Sequence, residues 1–383
     1  MRSKKFGDVC DFVRGPFGGS LKKNCFVEEG YAVYEQQHAI YNQFSEVRYF
    51  IDEDKFNEMK RFELKPNDLI MSCSGTMGKV AIVPENIKSG IINQALLKLT
   101  PKSILDIQYL KYWMNSPDFD NRLKENTVGA AIKNVASVKI LKQIDVPIPP
   151  LPEQKQIVEI LDEAFEAIDQ AKANIEKNIF NAEELFQSKR EDYFSKLSEE
   201  LDLIPIDKVC KNIFAGGDKP TNNFSKTQTK ELNIPIVANA VKDNGLYGYT
   251  NKAKVTEPSI TVAARGSGTG HTEYRDYPFV PIVRLIVLTP NTEIVEVEFL
   301  MYAIKNLTIA RSGSAIPQLT VPMIKSYSIP TPSKEKQIEI IENLNQLEFE
   351  LNQYKETLRK KIIELEELKK SILEKAFSGE LTN

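Results

Sequence analysis

Histidine and cysteine are scarce in this chain, and their placement excludes several kinds of site. The 383 residues include two histidines, His38 and His271, and four cysteines. Two histidines cannot supply a histidine-rich metal centre, and they leave few components for a Ser/His/Asp triad. The cysteines are scattered and form no C-x-x-C pair, so neither a zinc site nor a disulfide framework is predicted. We expect buried thiols, no resident metal and no catalytic residue.

Long apolar runs are absent as well. No stretch reaches the roughly 18 apolar residues that a membrane span needs, and the first residues contain no apolar run typical of a signal peptide. We therefore expect a cytoplasmic protein. With 42% hydrophobic and 27% charged residues, a chain of this length can form two domains, each with its own core.

An excess of one charge is also lacking, since the net charge is −3. The average conceals a division along the chain. Basic residues exceed acidic residues by three in residues 1–150 and again by three in residues 201–331. Acidic residues are in excess by seven in residues 151–200 and by two in residues 332–383. A polyanion would therefore meet the first pair of segments rather than the second.

The sequence contains two related halves. The tripeptide Lys-Gln-Ile occurs at residues 155–157 and 336–338, after a proline-rich joint in both cases. Ile148-Pro149 and Ile329-Pro330 match at the same spacing. Other matches keep their order, among them Ser-Gly-Thr at 74–76 and 267–269 and Leu-Thr-Pro at 99–101 and 288–290. We interpret the halves as two copies of one fold whose loops differ in length.

A long helix is predicted after each joint. Apolar residues recur there in alternating steps of four and three, which is typical of a coiled-coil seam. The predicted seams are Ile157, Leu161, Ala164, Ile168, Ala171, Ile175, Asn178, Ala182 and Leu185, then Leu344, Leu347, Leu351, Tyr354, Leu358, Lys361, Leu365, Leu368 and Ile372. Each helix could run roughly 40 residues, or about 60 Å.

Two arrangements of these helices fit the pattern. Each helix could lie on its own domain, or the two could pair. Pairing is favoured because one small domain can hardly cover so long a helix, and an antiparallel pair lets a compact second domain connect the two helices. The predicted fold class is α+β, with two pseudo-symmetric globular domains at residues 1–150 and 201–331. Two long helices, at residues 151–200 and 332–383, join them as a spacer in an antiparallel coiled coil.

Short apolar runs between Gly, Pro and Asn clusters predict strands in both domains. The predicted strands are Leu69–Met71, Val80–Val83, Leu96–Leu99, Ile234–Val237, Ile260–Ala263 and Ile282–Leu288, and the predicted helices are Ile107–Asn115 and Val297–Lys305.

Three kinds of loop are candidates for contact with nucleic acid. The segments SCSGTMGK at 72–79 and ARGSGTGH at 264–271 combine glycines, hydroxyls and a cation, which suits phosphate contact, although neither has P-loop spacing. Amides and cations that can pair with base edges occur before each joint and in the segment EQQH, whose counterpart lies near Asn239. The candidate residues are Gln36, Gln37, His38, Ser74, Gly75, Thr76, Lys79, Lys133, Asn134, Asn239, Arg265, Ser267, Thr269, His271 and Gln318. Alternatively, the loops are tight turns between strands, and the polar side chains are solvated and contact no nucleic acid.

The joint PIPPLPEQKQI before a long helix, its recurrence as IPTPSKEKQI, and an SGT loop in each preceding domain form a recognisable pattern. It resembles the specificity subunit of type I restriction-modification systems over essentially the whole chain. The resemblance implies two target-recognition domains that each read one half of a split, asymmetric site in double-stranded DNA. It also implies that the coiled coil fixes the spacing of the halves, in a system that defends against foreign DNA.

The resemblance further implies partners. Two modification subunits would dock on the helices and methylate adenine, and restriction subunits could join them for cleavage. S-adenosylmethionine is then expected on the modification partner, ATP and Mg on the restriction partner, and no cofactor on this chain. The implied partner contacts are Pro152, Glu153, Gln154, Gln156, Ile157, Pro332, Gln337 and Ile338. Lys334-Glu335 replaces Glu153-Gln154 at the second joint, a departure that predicts unequal partner contacts.

Two rival classes remain at this stage. The first is an enzyme, a nuclease or methyltransferase with unrecognised motifs; the acidic run at residues 52–54 could imitate a nuclease carboxylate cluster, although such runs are usually solvated loops. Alternatively, the chain could be a structural coiled-coil adaptor whose domains bind protein rather than DNA. Purified protein that cuts or methylates DNA alone would establish the first, and absence of sequence-dependent DNA binding with partners present would establish the second.

Overall fold

The chain forms two compact units in the computed structural model. The first consists of residues 1–175 with 359–383, and the second of residues 176–358. The structure describes residues 2–17, 19–125, 138–266, 268–307 and 318–381. No helix in these ranges is long and apolar enough to cross a membrane.

The first unit contains nine strands and six short helices among its described residues, followed by a long helix that continues into the second unit. The strands are β1 Ser3–Lys5, β2 Cys10–Arg14, β3 Tyr31–Tyr34, β4 Phe50–Ile51, β5 Leu69–Ser72, β6 Val80–Ile82, β7 Gly90–Ile92, β8 Leu96–Pro101 and β9 Asp145–Pro147. The helices are α1 Phe6–Val9, α2 Gln36–Tyr41, α3 Glu53–Glu58, α4 Ile107–Met114, α5 Pro117–Glu125, α6 Val138–Leu141 and the long α7 Leu151–Glu200. Short 3-10 segments lie at Lys23–Cys25 and Lys60–Phe62.

The second unit repeats the order of the nine strands among its described residues. Its strands are β10 Leu203–Pro205, β11 Cys210–Ala215, β12 Ile234–Val237, β13 Leu246–Thr250, β14 Ser259–Val262, β15 Thr272–Arg275, β16 Val280–Pro281, β17 Ile286–Pro290 and β18 Ser328–Pro330. Its helices are α8 Ile206–Val209, α9 Val297–Asn306, α10 Val321–Ser326 and the long α11 Lys334–Ser378, with a 3-10 segment at Lys242–Gly245.

The sheets of the two units have the same topology. In the first unit the sheets are β1-β9, β2-β8-β5-β6 and β4-β3-β7, and in the second they are β10-β18, β11-β17-β14-β15 and β13-β12-β16. The central strand of each three-stranded sheet is parallel to one neighbour and antiparallel to the other. Two α+β units of one topology, joined by two long helices, confirm the predicted fold class.

Strand register identifies equivalent residues in the two units. Phe12 pairs with Leu99 in the first, and Ile213 pairs with Leu288 in the second, so the two Leu-Thr-Pro strings are equivalent. The predicted strand Ile282–Leu288 is wrong in its first half. Val283 and Arg284 have φ values of 52° and 62°, and this left-handed turn delays β17 until Ile286.

The long helices pack antiparallel within the first unit. Lys172 of α7 pairs with Glu366 of α11, and Lys369 pairs with Asp169 at 3.1 Å. The residue numbers of the contacts on α11 therefore decrease as those on α7 increase. The ends of both helices also join the core of the globular part, where Phe377 meets Tyr109 edge to face at 5.2 Å. Pairing and packing on a domain occur together, although the sequence presented them as alternatives.

The second unit pairs its helix segments in the same sense. Lys355 forms an ion pair with Glu183, whereas Phe194 of α7 shares a core with Ile340 and Leu344 of α11. Both segments again pack on the globular part, since the ring centroids of Phe194 and Phe299 of α9 lie 5.3 Å apart. The antiparallel prediction is thus confirmed within each unit.

The predicted seams are wrong in the middle of both helices. Leu185 is 62% exposed and Tyr354 is 45% exposed. Their neighbours Phe186 and Lys355 are half-buried instead. A straight α-helix has 3.6 residues per turn, so a strict seven-residue count drifts by about 20° per heptad away from the buried face. Asn178, Lys361 and Leu368 are exposed for the same reason.

Candidate nucleic-acid interface

The glycine loop of the first unit connects β5 to β6 and is held by Ser72. The buried Ser72 hydroxyl donates to the Thr76 carbonyl at 2.6 Å and accepts from the Lys79 amide at 3.0 Å. Gly75 and Gly78 adopt φ values of 58° and 79°, which favour glycine. Residues 74–79 are all exposed, so the candidates Ser74, Gly75, Thr76 and Lys79 lie on a fixed loop that faces solvent.

Gln36 lies beside this loop, so the structure brings together two candidate sites that are distant in sequence. It is the first residue of α2, directly after β3 and Glu35. A Cβ added at Gly75 would lie 3.6 Å from the Gln36 Nε2 atom. Gln36 is half-buried there, as is the neighbouring candidate Gln37.

His38 is not available to nucleic acid, so its prediction as a contact is wrong. The side chain is 0% exposed and lies among Tyr34, Ala39 and Phe44. Its Nδ1 atom accepts from the Glu35 amide at 2.8 Å, and its Nε2 atom lies 3.0 Å from the Glu46 carbonyl. The imidazole therefore completes the cap of α2 and fastens the following loop.

The second unit brings together three candidate residues around its own loop. The Asn239 Oδ1 atom accepts from the Ala264 amide, and its Nδ2 atom donates to the Arg265 carbonyl at 2.9 Å. Arg265 also forms an isolated antiparallel bridge with Gln318. Arg265 is exposed, so its guanidinium is presented on a backbone held from two sides.

Asn239 and Gln36 occupy equivalent places. In the first unit Asn93 donates its amide to the Tyr34 carbonyl, and in the second Ile282 donates to the Val237 carbonyl. These bonds make Tyr34 equivalent to Val237, and Gln36 and Asn239 each follow two residues later. The predicted counterpart relationship between EQQH and Asn239 is therefore confirmed by register.

The two Ser-Gly-Thr strings are not equivalent, contrary to the prediction from the repeat. Leu69 pairs with Leu99, and Ile260 pairs with the equivalent Leu288. Counting onward from Leu69 and Ile260 aligns Gly75 with Gly266, which has φ 82°. The second loop is one residue longer, and its Ser-Gly-Thr string starts two positions after the equivalent of Ser74.

Thr269 and His271 are engaged within the second unit. Thr269 is 5% exposed and donates its hydroxyl to the Gly266 carbonyl at 2.7 Å, so its prediction as a nucleic-acid contact is wrong. His271 is half-exposed, and its buried Nε2 atom lies 3.0 Å from Glu273 Oε1; the neighbouring imidazole holds the pKa of Glu273 below its usual value. Lys133, Asn134 and Ser267 lie outside the described residues.

The two joints are built around one buried glutamine each. Gln154 accepts from the Asp106 amide at 2.8 Å and donates to the carbonyls of Ile104 and Pro149 at 3.0 and 2.8 Å. In the second unit Gln337 accepts from the Glu296 amide at 2.7 Å and donates to Ile294 and Pro332 at 3.0 and 2.9 Å. Both glutamines are 0% exposed. Each fastens the start of a long helix to the start of α4 or α9.

This geometry corrects the alignment of the joints. Gln154 is equivalent to Gln337, and the buried Ile157 is equivalent to the buried Ile340, so the matching Lys-Gln-Ile strings are out of register by two residues. The inferred departure at Lys334-Glu335 is corrected to a single substitution, because Lys336-Gln337 is the counterpart of Glu153-Gln154 and only Lys336 differs. Gln154, Ile157 and Gln337 are buried within their own units, so their prediction as partner contacts is wrong.

A tyrosine beside each joint repeats the correspondence. The Tyr112 hydroxyl donates to Asp162, and the Tyr302 hydroxyl lies 2.6 Å from Asn345 Oδ1 and 2.9 Å from Glu348 Oε2. Burial, reinforced by the nearby carboxylates, raises the pKa of both tyrosines. They therefore remain protonated donors that tie α4 and α9 to the long helices.

Within the described ranges, no group of three or more histidine, cysteine or acidic side chains could hold a metal ion. All four cysteines are free, and Cys10 and Cys73 are buried, whereas Cys25 and Cys210 are partly exposed. Burial raises the pKa of Cys73 to about 11 and that of Cys210 to about 12, which disfavours the thiolate needed for metal binding or nucleophilic attack.

The sequence profile of the type I restriction modification DNA specificity domain matches residues 1–180 and again residues 199–364. The chain belongs to the type I restriction-modification specificity family. Both halves carry the family domain, in agreement with the duplicated topology.

Individual relatives of this specificity-family chain agree. A candidate type I specificity subunit of Mycoplasma pneumoniae is 33% identical over 215 residues, which are 55% of this chain and 57% of that protein. The match therefore spans little more than half the length of that relative. The specificity subunit of the type I restriction enzyme MjaVIII of Methanocaldococcus jannaschii is 23% identical over 356 residues, 84% of this chain and 81% of the relative.

A solved structure has the same fold. It comes from work on complex assembly and conformational transition of the type I R-M system and superposes with a TM-score of 0.75. The sequences are 17% identical, and the superposition covers 99% of this chain and 98% of the other. At this identity the likeness establishes the fold of this chain. It does not establish which bases the chain recognises or which partners it binds.

Proposed function

We propose that this chain is the DNA sequence-recognition subunit of a type I restriction-modification complex and performs no chemistry itself. Each unit reads one half of a bipartite, asymmetric site in double-stranded DNA, and the paired helices set the distance between the halves. The reading surface in each unit is built on the glycine loop. Gln36 adds its side chain to this surface in the first unit, and Asn239 holds the loop in the second.

One observation carries this proposal: the two units keep one framework but expose different side chains at equivalent positions of it. Strand register makes Ser74 of the first loop equivalent to Arg265 of the second. At the end of the loop, Lys79 of the first unit corresponds to His271 of the second. A fixed framework with exchanged polar groups is what reading two different half-sites requires, because donors and acceptors on base edges differ between base pairs.

The charge distribution supports the same assignment. The segments that form the globular parts carry a net excess of three basic residues each, whereas residues 151–200 have an acidic excess of seven. So small a basic excess gives weak binding by one unit alone, because affinity for DNA comes largely from neutralised phosphates. Linking two weak readers in one chain multiplies their affinities.

The long helices offer a surface suited to protein partners. Apolar side chains that neither unit buries are Phe180, Leu185, Phe349, Tyr354, Ile363 and Leu368. Exposed apolar residues on paired helices are typical of protein interaction sites. We assign this surface to two modification subunits, which bring S-adenosylmethionine, and place restriction subunits with ATP and Mg on the same complex.

Pro152, Gln156 and Ile338 are exposed and stay candidate contacts there, and the partly exposed Glu153 and Pro332 border them. The whole complex would then act in the cytoplasm.

The proposal is tested by expressing the chain with its modification subunits and sequencing the host genome for methylated adenine. We expect one asymmetric motif made of two specified parts separated by unspecified bases, and no methylation when either protein is omitted. A continuous motif, or methylation by this chain alone, would contradict the proposal.

A further inference from the structure

Each unit carries a pair of aromatic rings with a cation beside it, at a place that the loops described above do not include. In the first unit Phe26 stacks on Tyr49 with ring centroids 4.6 Å apart, and the Arg48 guanidinium lies 4.9 Å from the Tyr49 centroid. In the second unit Phe224 lies 5.7 Å from Tyr247, and the Lys226 ammonium lies 3.6 Å from the Tyr247 centroid.

These two clusters occupy equivalent positions, although only one residue of each aligns. Val27, next to Phe26, bridges to Phe50, and Ser225, next to Phe224, bridges to Tyr249. Phe50 pairs with Ala32, and Tyr249 pairs with Pro235, each on the central strand of its sheet. Phe26 and Phe224 are therefore equivalent.

The partner ring, by contrast, comes from different positions. Gly248 stands where the first unit has Tyr49, and Phe224 packs over it, since a Cβ at Gly248 would lie 2.7 Å from the Phe224 ring. The ring is supplied one residue earlier, by Tyr247. Both units thus keep two rings and a cation while the residues that provide them shift.

The cations in these clusters are held but not neutralised. Arg48 donates to the Tyr49 hydroxyl at 2.7 Å, and Lys226 donates to the Tyr247 carbonyl at 3.0 Å. A second cation, Lys219, lies 5.7 Å from the Phe224 centroid. No carboxylate of the described residues lies within 4.0 Å of any of the three. All three residues are exposed.

Two other lysines, one in each unit, show the contrast. Lys60 also lies over a ring, 4.4 Å from the Phe56 centroid, but it pairs with Glu63 at 3.0 Å. Lys211 in the second unit pairs with Glu257 at 2.8 Å. Cations already paired with carboxylates gain little from a phosphate, whereas an unpaired cation oriented by a ring loses little conformational entropy on binding one.

The clusters lie at the same end of the sheet as the proposed reading residues. In the first unit the Val33 amide donates to the Tyr49 carbonyl, and Val33 precedes Gln36 by three residues. In the second unit the Ala238 amide donates to the Gly245 carbonyl. Ala238 directly precedes Asn239, and Gly245 precedes Tyr247 by two residues. Three residues of strand span about 10 Å, which is about three phosphates along one DNA strand at about 3.4 Å of rise each.

We propose that Arg48 in the first unit, and Lys226 with Lys219 in the second, bind backbone phosphates flanking the half-site, with the aromatic pairs holding these cations in place. This assignment rests on the proposed function, because it names the backbone contacts of the same DNA-reading surface. It concerns position on the duplex and not the choice of bases.

The test measures the binding of the full chain, in complex with its modification subunits, to a labelled duplex with the methylated motif and to a scrambled duplex over a series of salt concentrations. Arg48→Ala should lower the affinity for both duplexes roughly tenfold and reduce the steepness of log affinity against log salt by about 0.9. Lys219→Ala with Lys226→Ala should lower that slope by about twice as much. Arg48→Lys should keep the slope, and the controls Lys60→Ala and Lys211→Ala should leave affinity and slope unchanged.

The outcomes separate this assignment from the proposed function. Slopes unchanged in the variants, or a changed base preference instead of uniform weakening, would overturn the phosphate contacts while leaving a specifically binding wild type intact. A wild type that binds both duplexes equally, with slopes that fall in the variants, would overturn sequence recognition and uphold the phosphate contacts. A wild type that binds neither duplex would overturn both.

Discussion

The two units share three sheets and a glutamine-centred joint, yet they hold their glycine loops with different residues. In the first unit Ser72 braces the loop, and Gln36 lies beside it with a buried Oε1 atom that accepts no hydrogen bond from the described residues. In the second unit Ala263 stands at the position of Ser72, and Asn239 and Thr269 brace the loop instead. A polar residue at the same place can therefore either read DNA or hold the loop that reads it.

The largest expected effect concerns what the two units have in common, the helices. Inserting seven residues after position 175 and seven after position 358 lengthens both helices by about 10 Å, or about three base pairs of duplex. We expect the methylated motif to keep both half-sites and gain about three unspecified bases. Methylome sequencing checks this, and an unchanged spacing would remove the helices from the role of spacer.

The next effect tests whether the joints are equivalent. Gln154→Leu leaves the Asp106 amide and two carbonyls without partners and should lower stability by about 3 kcal/mol. Hydrogen exchange should accelerate at the Asp106 amide in this variant and at the Glu296 amide in Gln337→Leu. The exposed neighbour provides a matched control, Gln156→Leu, which should change neither. Equal exchange at both amides in every variant would contradict the proposed equivalence.

A smaller effect separates bracing from reading. Asn239→Ala removes two hydrogen bonds to the loop backbone and should destabilise the second unit by about 1–2 kcal/mol, in addition to weakening its half-site. Gln36→Ala should weaken the first half-site with a change in stability below about 0.5 kcal/mol. Urea unfolding and DNA binding of both variants check this difference, which would be lost if the two substitutions changed stability equally.

The smallest effect is confined to the second unit and depends on pH. The neighbouring His271 lowers the pKa of Glu273, so the carboxylate stabilises the folded state above the unfolded pKa, and this contribution is lost as pH falls through the folded pKa. Wild type should exceed Glu273→Gln in unfolding midpoint near neutral pH, and the difference should vanish in acid. Ala81 stands at the equivalent place in the first unit, where no such dependence is expected. A constant difference across this range would contradict the role of the pair.

Sequence predicted the duplication, the long helices and most core strands, because these depend on local apolar periodicity and on repeated strings. It failed where identity and structural equivalence diverge. The Lys-Gln-Ile and Ser-Gly-Thr strings match out of register, and the buried glutamines are recognisable only when Gln154 is aligned with Gln337. A match of three residues cannot fix register when strand pairing is unknown.

Long-range packing limited the prediction of site residues. His38 is a polar residue in a polar segment, which predicts contact with nucleic acid, but in the fold it is buried beside Tyr34 and Phe44. Thr269 is committed to its own loop. The repeat did not predict the aromatic clusters, because Tyr49 and Tyr247 occupy different positions on equivalent strands and no alignment of the halves superposes them. Candidate contacts on exposed loop tips, such as Ser74, Lys79 and Arg265, remain predictions.

The most direct test of two independent reading units is a chimera in which residues 201–331 are replaced by the corresponding segment of another family member. Co-expressed with the same modification subunits, it should methylate a motif with one new half, with the other half and the spacing unchanged. A motif that changes in both halves, or in neither, would contradict the account.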